Sequence, residues 1–195
     1  GIIMIYIIRH AQTDWNLSKR LHGHNSVPLN EKGRQEAENA RKKVNSLEID
    51  KIISSDLLRA KQTAEIINKD LCKTIVFDYR LRSVDYGMLE GRYIPEISKE
   101  EWEIYNSTPE TFMAESVESI FLRIKSFFDE QFSKNENVLI VAHGGSLRLI
   151  SYYLSNRDTF IKEVYASKYK DAKQPVNTAL FEINPNSTFM KPIYY

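Results

Sequence analysis

The chain has 195 residues, enough for one domain with a real core. Its 27 Lys and Arg nearly balance 26 Asp and Glu, which points away from nucleic acid or a membrane as a partner. Cys72 is the single cysteine, which excludes an internal disulfide and a cysteine-built zinc site and suits a cytoplasmic setting.

The first element is the run Ile2-Ile3-Met4-Ile5-Tyr6-Ile7-Ile8, short and rich in β-branched residues, which predicts a buried strand. It lacks the basic start and small-residue cleavage site of a signal peptide, and no stretch reaches the ~18 apolar residues of a membrane span. The run delivers Arg9-His10 at its end. In open α/β sheets ligands bind at the carboxyl ends of strands. A guanidinium matches phosphate oxygens with its fork, and an imidazole is a nucleophile or proton carrier at neutral pH. The pair suggests phosphate chemistry, although alone it reads equally well as two ion-pairing residues.

Ala11 to Leu29 is a polar loop. Asn30 is placed to cap a helix over Glu31 to Leu47, with Ala37, Ala40, Val44 and Leu47 on one face. Ile49 to Ser54 predicts a second strand, Leu57 to about Leu71 a second helix, and Thr74 to Phe77 a third strand. Tyr79 to Glu115 is turn-rich and weakly periodic, with a short helix around Glu100 to Tyr105. Ser116 caps a helix whose stripe Val117, Ile120, Phe121, Ile124, Phe127, Phe128 and Phe132 reads as core packing. Val138 to Ala142 is a strand covered on both faces, followed by a helix from Gly144 to about Leu154. Thr178 to Ile183 and Phe189 to Tyr194 are late strand candidates. The alternation predicts a single α/β domain, a three-layer α/β/α sandwich with a mostly parallel central sheet.

Three segments place polar residues at one edge of that sheet: Arg9 to Asn16, Ser54 to Ala64 with Arg59 in the first helical turn, and Val141 to Arg148 with His143 before Gly144-Gly145. Two Arg, two His, an Asn and a glycine-opened helix N-terminus make an anion site. In order and spacing these segments resemble the histidine phosphatase superfamily, the phosphoglycerate mutase-like group. Its pattern is Arg-His-Gly-Glu-Thr-x-x-Asn, then Ser-Asp-Leu-x-Arg-Ala-x-Gln-Thr-Ala, then a late His-Gly. The resemblance runs from about Ile5 to Arg148 and on into Asn177-Thr178-Ala179, and Pro28 to Ala37 resembles a further family motif.

The resemblance implies that His10 accepts the phosphoryl group, that Arg9, Arg59 and His143 hold its oxygens, and that Asn16 donates in addition. Gly144 at the helix start and His22 at the mouth, with His24 nearby, are further candidates for substrate contact. The resemblance implies no metal and no cofactor, since the arginines and His143 supply the positive charge. Surrounding positive charge would keep His10 neutral, as attack requires.

Departures from the family pattern occur at Ala11, Gln12 and Ser83. The family's general acid is the first Glu of Leu-x-Glu-x-x-x-Gly-x-x-Glu-Gly, and here that stretch is Leu81 to Gly91 with Ser83 at the Glu position. A hydroxyl is no carboxylic acid. Asp85 is the nearest replacement, because residues two apart in an extended segment face the same way about 7 Å from one another; a solvated loop acid is an equal reading. Asp14 and Glu115 are weaker candidates, and Glu90 matches a structural position. The remaining explanations are a leaving group that needs no proton and a weak catalyst. General acids contribute roughly 10²–10⁴ in rate, so aryl phosphates are expected to turn over faster than sugar phosphates.

The 51 residues between Gly91 and His143 are few beside what true phosphoglycerate mutases insert there. Residues 92–115 form a cap-like insertion with Glu96, Glu100, Glu101, Glu103, Glu110 and Glu115 against Arg92 and Lys99, and an acidic cap disfavours a second phosphate. Trp102, Tyr105 and Phe112 of that segment are candidates for covering the entrance. The expected function is hydrolysis of a small phosphorylated metabolite. The alternatives are a mutase and a phosphate-binding or interaction module that has lost the chemistry.

Overall fold

Strand β1 (Ile5–Arg9) sorts its side chains between two cores: Ile5 and Ile7 into one, Tyr6 and Ile8 into the other. Successive strand residues face opposite ways, so a continuously apolar strand needs cover on both sides. The computed structural model, which describes residues 1–194, supplies that cover with two helical layers. In chain order β1 is followed by α1 (Asp14–Leu17), α2 (Glu31–Val44), β2 (Lys51–Ser54), α3 (Leu58–Leu71) and β3 (Ile75–Phe77). Then come α4 (Lys99–Ser107), α5 (Val117–Phe132), β4 (Val138–Ala142), α6 (Gly144–Ser155), α7 (Lys162–Lys168), β5 (Leu180–Ile183) and β6 (Lys191–Tyr194).

The sheet order is β3-β2-β4-β1-β5-β6. β1, β2, β3 and β4 are mutually parallel, with Ile140 of β4 opposite Ile7 on one side and Ile53 on the other. β5 pairs antiparallel to β1, and β6 antiparallel to β5. Ala40 and Val44 of α2 and Ala60, Ala64 and Ile67 of α3 cover one face. Phe121, Ile124 and Phe128 of α5 and Leu147 and Ile150 of α6 cover the other. The expected three-layer α/β/α sandwich is what forms.

Caps set the helix boundaries. The Asn30 side chain accepts from the Gly33 N–H at 2.8 Å, and that of Ser116 from the Ser119 N–H at 3.1 Å. Gly33 is required for another reason: a Cβ there would lie 2.0 Å from the Gln12 carbonyl oxygen, so α2 can press against the loop that leaves β1.

The differences from expectation are local. Strand pairing in β2 begins at Lys51, Leu57 is the residue before α3, and β6 begins at Lys191. The first loop contains α1, closed by a reciprocal Thr13–Asn16 capping box. Helix α7 has no counterpart in the sequence reading, because its seven residues bury only Tyr165 and show no apolar stripe. Among the described residues no helix is long and apolar enough to cross a membrane.

Candidate active site

The parallel strands β1, β4 and β2 end side by side. The His10 N–H donates to the Ala142 carbonyl at 3.0 Å, and the Ser55 N–H to Val141 at 3.0 Å. These bonds bring Arg9, His10, Ser55 and His143 to one edge, and the first turn of α3 adds Arg59. A cavity of about 250 Å³ is lined by Arg9, His10, Asn16, His22, Arg59, Ser83, His143 and Gly144, together with Trp15, Tyr86 and Gln174 among others. Of the site residues expected from sequence, Asp85 and His24 are missing from that lining.

His10 is 2 % exposed, and its ring centroid lies 5.2 Å from that of His143 and 6.0 Å from that of His22. Its Nδ1 is 2.7 Å from the Ala11 carbonyl oxygen. A carbonyl only accepts, so the proton sits on Nδ1 and Nε2 carries a free lone pair. Burial, then Arg59 and Arg9, push the His10 pKa well below its usual value. At neutral pH His10 is therefore an uncharged imidazole held in one tautomer, with Nε2 free to act as a base or nucleophile.

The cations around it are fixed by the backbone. Arg59 is 1 % exposed and donates from Nη2 to Gly23 O at 2.8 Å and from Nη1 to Asn25 O at 3.1 Å. Arg9 donates from Nη1 to the Pro175 carbonyl. Burial pulls their pKa values down to about 9 for Arg59 and about 10 for Arg9, so both stay charged at pH 7. Ser55 Oγ lies 2.7 Å from His143 Nε2 and accepts from the Leu57 N–H at 3.3 Å. With the Ser55 hydroxyl donating to Nε2, the His143 proton resides on Nδ1. Among the described residues, three buried side-chain nitrogens have no hydrogen-bond partner: Arg9 Nε, Arg59 Nε and His143 Nδ1. Buried donors are normally paired, and all three of these belong to residues lining this cavity.

Asn16 accepts on Oδ1 from the Thr13 N–H at 3.0 Å and from Asn177 Nδ2 at 3.3 Å, which leaves its amide NH₂ as a donor. A Cβ at Gly144 would lie 2.5 Å from Gln174 Oε1 and 3.1 Å from Arg9 Cζ, so a side chain there would displace Gln174 and crowd Arg9. The His22 ring bonds through Nε2 to Thr13 Oγ1, and burial followed by Arg59 and Arg9 lowers its pKa to about 3. His24 stands behind the cavity wall, with its Nε2 2.8 Å from the Ser83 carbonyl oxygen. Glu90 joins the two loops. Its carboxylate accepts from the His24 N–H at 2.8 Å, Asn25 Nδ2 at 2.9 Å and the Tyr86 N–H at 3.2 Å.

Ser83 faces the cavity, but none of the expected replacement acids does. Asp85 corrects the expectation from sequence. Its Oδ1 accepts from the Gly87 N–H at 3.0 Å, a bond that closes a tight turn, and it does not line the cavity that Ser83 faces. Glu115 is bound to Arg123 at 2.8 Å, and Asp14 is exposed at the start of α1. Among the described residues no carboxylate lines the cavity, whereas Arg9, Lys19, Arg20 and Arg59 do.

The acidic-cap argument is corrected as well. Glu96, Glu100, Glu103 and Glu110 are exposed, Glu101 pairs with Arg92, and none of the six acids lines the cavity. Tyr86, Gln174 and Ser55 were missed as site residues. Ser55 and Tyr86 had a signal, since each lies inside a motif already singled out. Gln174 sits in a stretch without periodicity.

The family model described as histidine phosphatase superfamily (branch 1) matches residues 5–179. A Salmonella typhi protein named "Probable phosphoglycerate mutase GpmB" is 36% identical over 154 residues, which is 75% of this chain and 72% of that protein. The solved structure of Bacillus stearothermophilus YhfR is 26% identical, covers 98% of this chain and 96% of that one, and has a TM-score of 0.77. A mycobacterial glucosyl-3-phosphoglycerate phosphatase solved with VO3 shares the fold, with a TM-score of 0.78 over 92% of each chain at 23% identity. The chain belongs to the histidine phosphatase superfamily, branch 1.

Proposed function

We propose that the protein is a phosphatase that hydrolyses a small phosphomonoester through a phosphohistidine on His10. The observation that carries this reading is the set of three unpartnered buried nitrogens, on Arg9, Arg59 and His143, lining one cavity with a neutral His10. A phosphoryl group offers three oxygens whose negative charge spreads in the transition state, and fixed donors aimed at them lower the barrier. The Nε2 lone pair of His10 attacks phosphorus as the ester P–O bond breaks, and the departing oxygen takes the bonding pair. Water then attacks phosphorus, the P–N bond returns its electrons to Nε2, and inorganic phosphate leaves.

The departing oxygen needs a proton unless it is a weak base. With no carboxylate in the cavity, that proton comes from water, and esters with acidic alcohols are favoured. The test is trapping with a radiolabelled phosphomonoester quenched in alkaline detergent, because phosphohistidine survives base. Labelled protein and released inorganic phosphate are expected, both lost in His10→Ala. Phosphate moved between hydroxyls of a phosphoglycerate, with none released, would favour a mutase. Neither label nor release across aryl, sugar, glycerate and nucleotide phosphates would leave a binding module.

A further inference from the structure

A second cavity, of about 590 Å³, adjoins the first, and the two share Tyr86 and Gly145 as wall residues. Four helical parts of the chain enclose it: α4 with Trp102 and Tyr105, the start of α5 with Val117 and Ile120, α6 with Gly145, Arg148 and Leu149, and the region of α7 with Phe160 and Tyr165. Tyr86, Trp102 and Tyr105 form one aromatic wall, with ring centroids 5.4 to 6.1 Å apart. Phe160 and Tyr165 pack together at 5.6 Å as a second aromatic pair. Lys162 Nζ donates to the Asn106 carbonyl at 2.9 Å and ties α7 to α4.

Polar side chains interrupt the aromatic surface: Asn106, Ser107, Ser116, Arg148, Lys162 and Lys170 also face this cavity. Among the described residues the hydroxyls of Tyr86, Tyr105 and Tyr165 make no hydrogen bond to the protein. Arg148 uses Nε on the Ala172 carbonyl at 2.9 Å, and neither it nor Lys162 or Lys170 has a carboxylate partner within reach. Glu118 and Asp171 also line the cavity. Two aromatic groups facing one cavity, with polar side chains between them, suit a ligand that has an apolar ring to stack and a polar end to hold.

We propose that this second cavity receives the alcohol portion of the phosphomonoester, and that the substrate is the phosphate ester of a ring-bearing, largely apolar alcohol about the size of one or two fused rings. The inference rests on the phosphatase reading for the first cavity, and it names the substrate class. The phosphoryl group lies beside His10, and the organic body passes Tyr86 and Gly145 to stack among Trp102, Tyr105 and Tyr165. Arg148 stands at the junction, close enough to Arg9 to lower that residue's pKa after the larger effect of burial.

The experiment compares primary alkyl phosphates, so that alcohol acidity is nearly constant: ethyl, benzyl and 2-naphthylmethyl phosphate, with glycerol 3-phosphate and glucose 6-phosphate beside them. The kcat/KM should rise about a hundredfold from ethyl to 2-naphthylmethyl, part of what burying a ring provides. Trp102→Ala should lower that ratio roughly tenfold, as loss of one aromatic contact does. Ala166→Trp, which fills the cavity from α7, should lower it too without opening the α4 wall. Calorimetric binding of 2-naphthylmethylphosphonate against methylphosphonate carries the same expectation without turnover. A flat series, or preference for the glycerol or glucose ester, overturns the substrate class and leaves the phosphatase reading standing. Tight naphthylmethylphosphonate binding with no hydrolysis of any ester supports the cavity assignment and overturns the phosphatase reading.

Discussion

The two cavities are built differently. In the phosphate cavity the reactive groups stand at strand ends or in the first turn of a helix, and backbone carbonyls fix them: Ala11 on His10, Pro175 on Arg9, Gly23 and Asn25 on Arg59. The adjoining cavity is walled by α4, α5, α6 and α7, held by aromatic packing and by the Lys162–Asn106 bond. A strand end keeps its geometry because the sheet's hydrogen bonds on both sides fix it. The outer helices α4 and α7 can change sequence with less effect on the sheet, because α5 and α6 are the helices that cover that face. A chemistry constant in its nucleophile and adjustable in its substrate is expected from that division.

The comparison breaks first at the nucleophile. His10→Ala is expected to lower kcat by on the order of 10⁵ or more, the scale of removing a covalent nucleophile, measured as phosphate release. Ser83→Glu restores a carboxylic acid to a cavity wall that lacks one. It should raise kcat for alkyl phosphates by roughly 10²–10⁴ and change aryl phosphates far less. If both classes rise equally, the missing acid is not what limits the alkyl esters. Arg59→Lys retains charge but loses the fork that holds Gly23 and Asn25, and about 10²–10³ in kcat/KM should go with it.

Stability follows the same cavity. The pKa values of His10, His22 and His143 are all lowered in the folded protein, with burial first and Arg59 second in each case. The unfolded chain therefore binds more protons below about pH 6.5, and stability falls with pH by about 1.4 kcal/mol per unit for each histidine. For His22 the loss continues to about pH 3. Urea midpoints from pH 7.5 to pH 5 should show the decline, and added inorganic phosphate should offset it. The smallest effect is at Asp85. Asp85→Asn should change kcat/KM less than about twofold and leave the pH profile unmoved, since its carboxylate closes the turn at Gly87. A lost limb in that profile would return Asp85 to the chemistry.

Much of the site was legible in the residues. The apolar runs before Arg9 and His143 placed both at strand ends, and the asparagine and serine caps located α2 and α5. Less visible was the direction of side chains in irregular segments. Ser83 and Asp85 are two residues apart, and only the Gly87 turn shows that one faces the cavity while the other does not. Six glutamates between Gly91 and Ser116 suggested an acidic cap, yet that segment gives the second cavity Trp102, Tyr105, Asn106, Ser107 and Pro109.

By itself the sequence determined the mostly parallel core, placed Arg9, His10, Arg59 and His143 at one edge of the sheet, and showed Ser83 where the family pattern has Glu. These depend on local patterns, a buried strand ending in polar residues and a helix beginning after it. Only the tertiary structure decided that no other acid fills the place of the missing one, that His22 turns into the phosphate cavity, and that α7 completes the aromatic one. Those outcomes depend on contacts between distant segments, such as Glu115 with Arg123 and Lys162 with Asn106, whose partners no local pattern specifies.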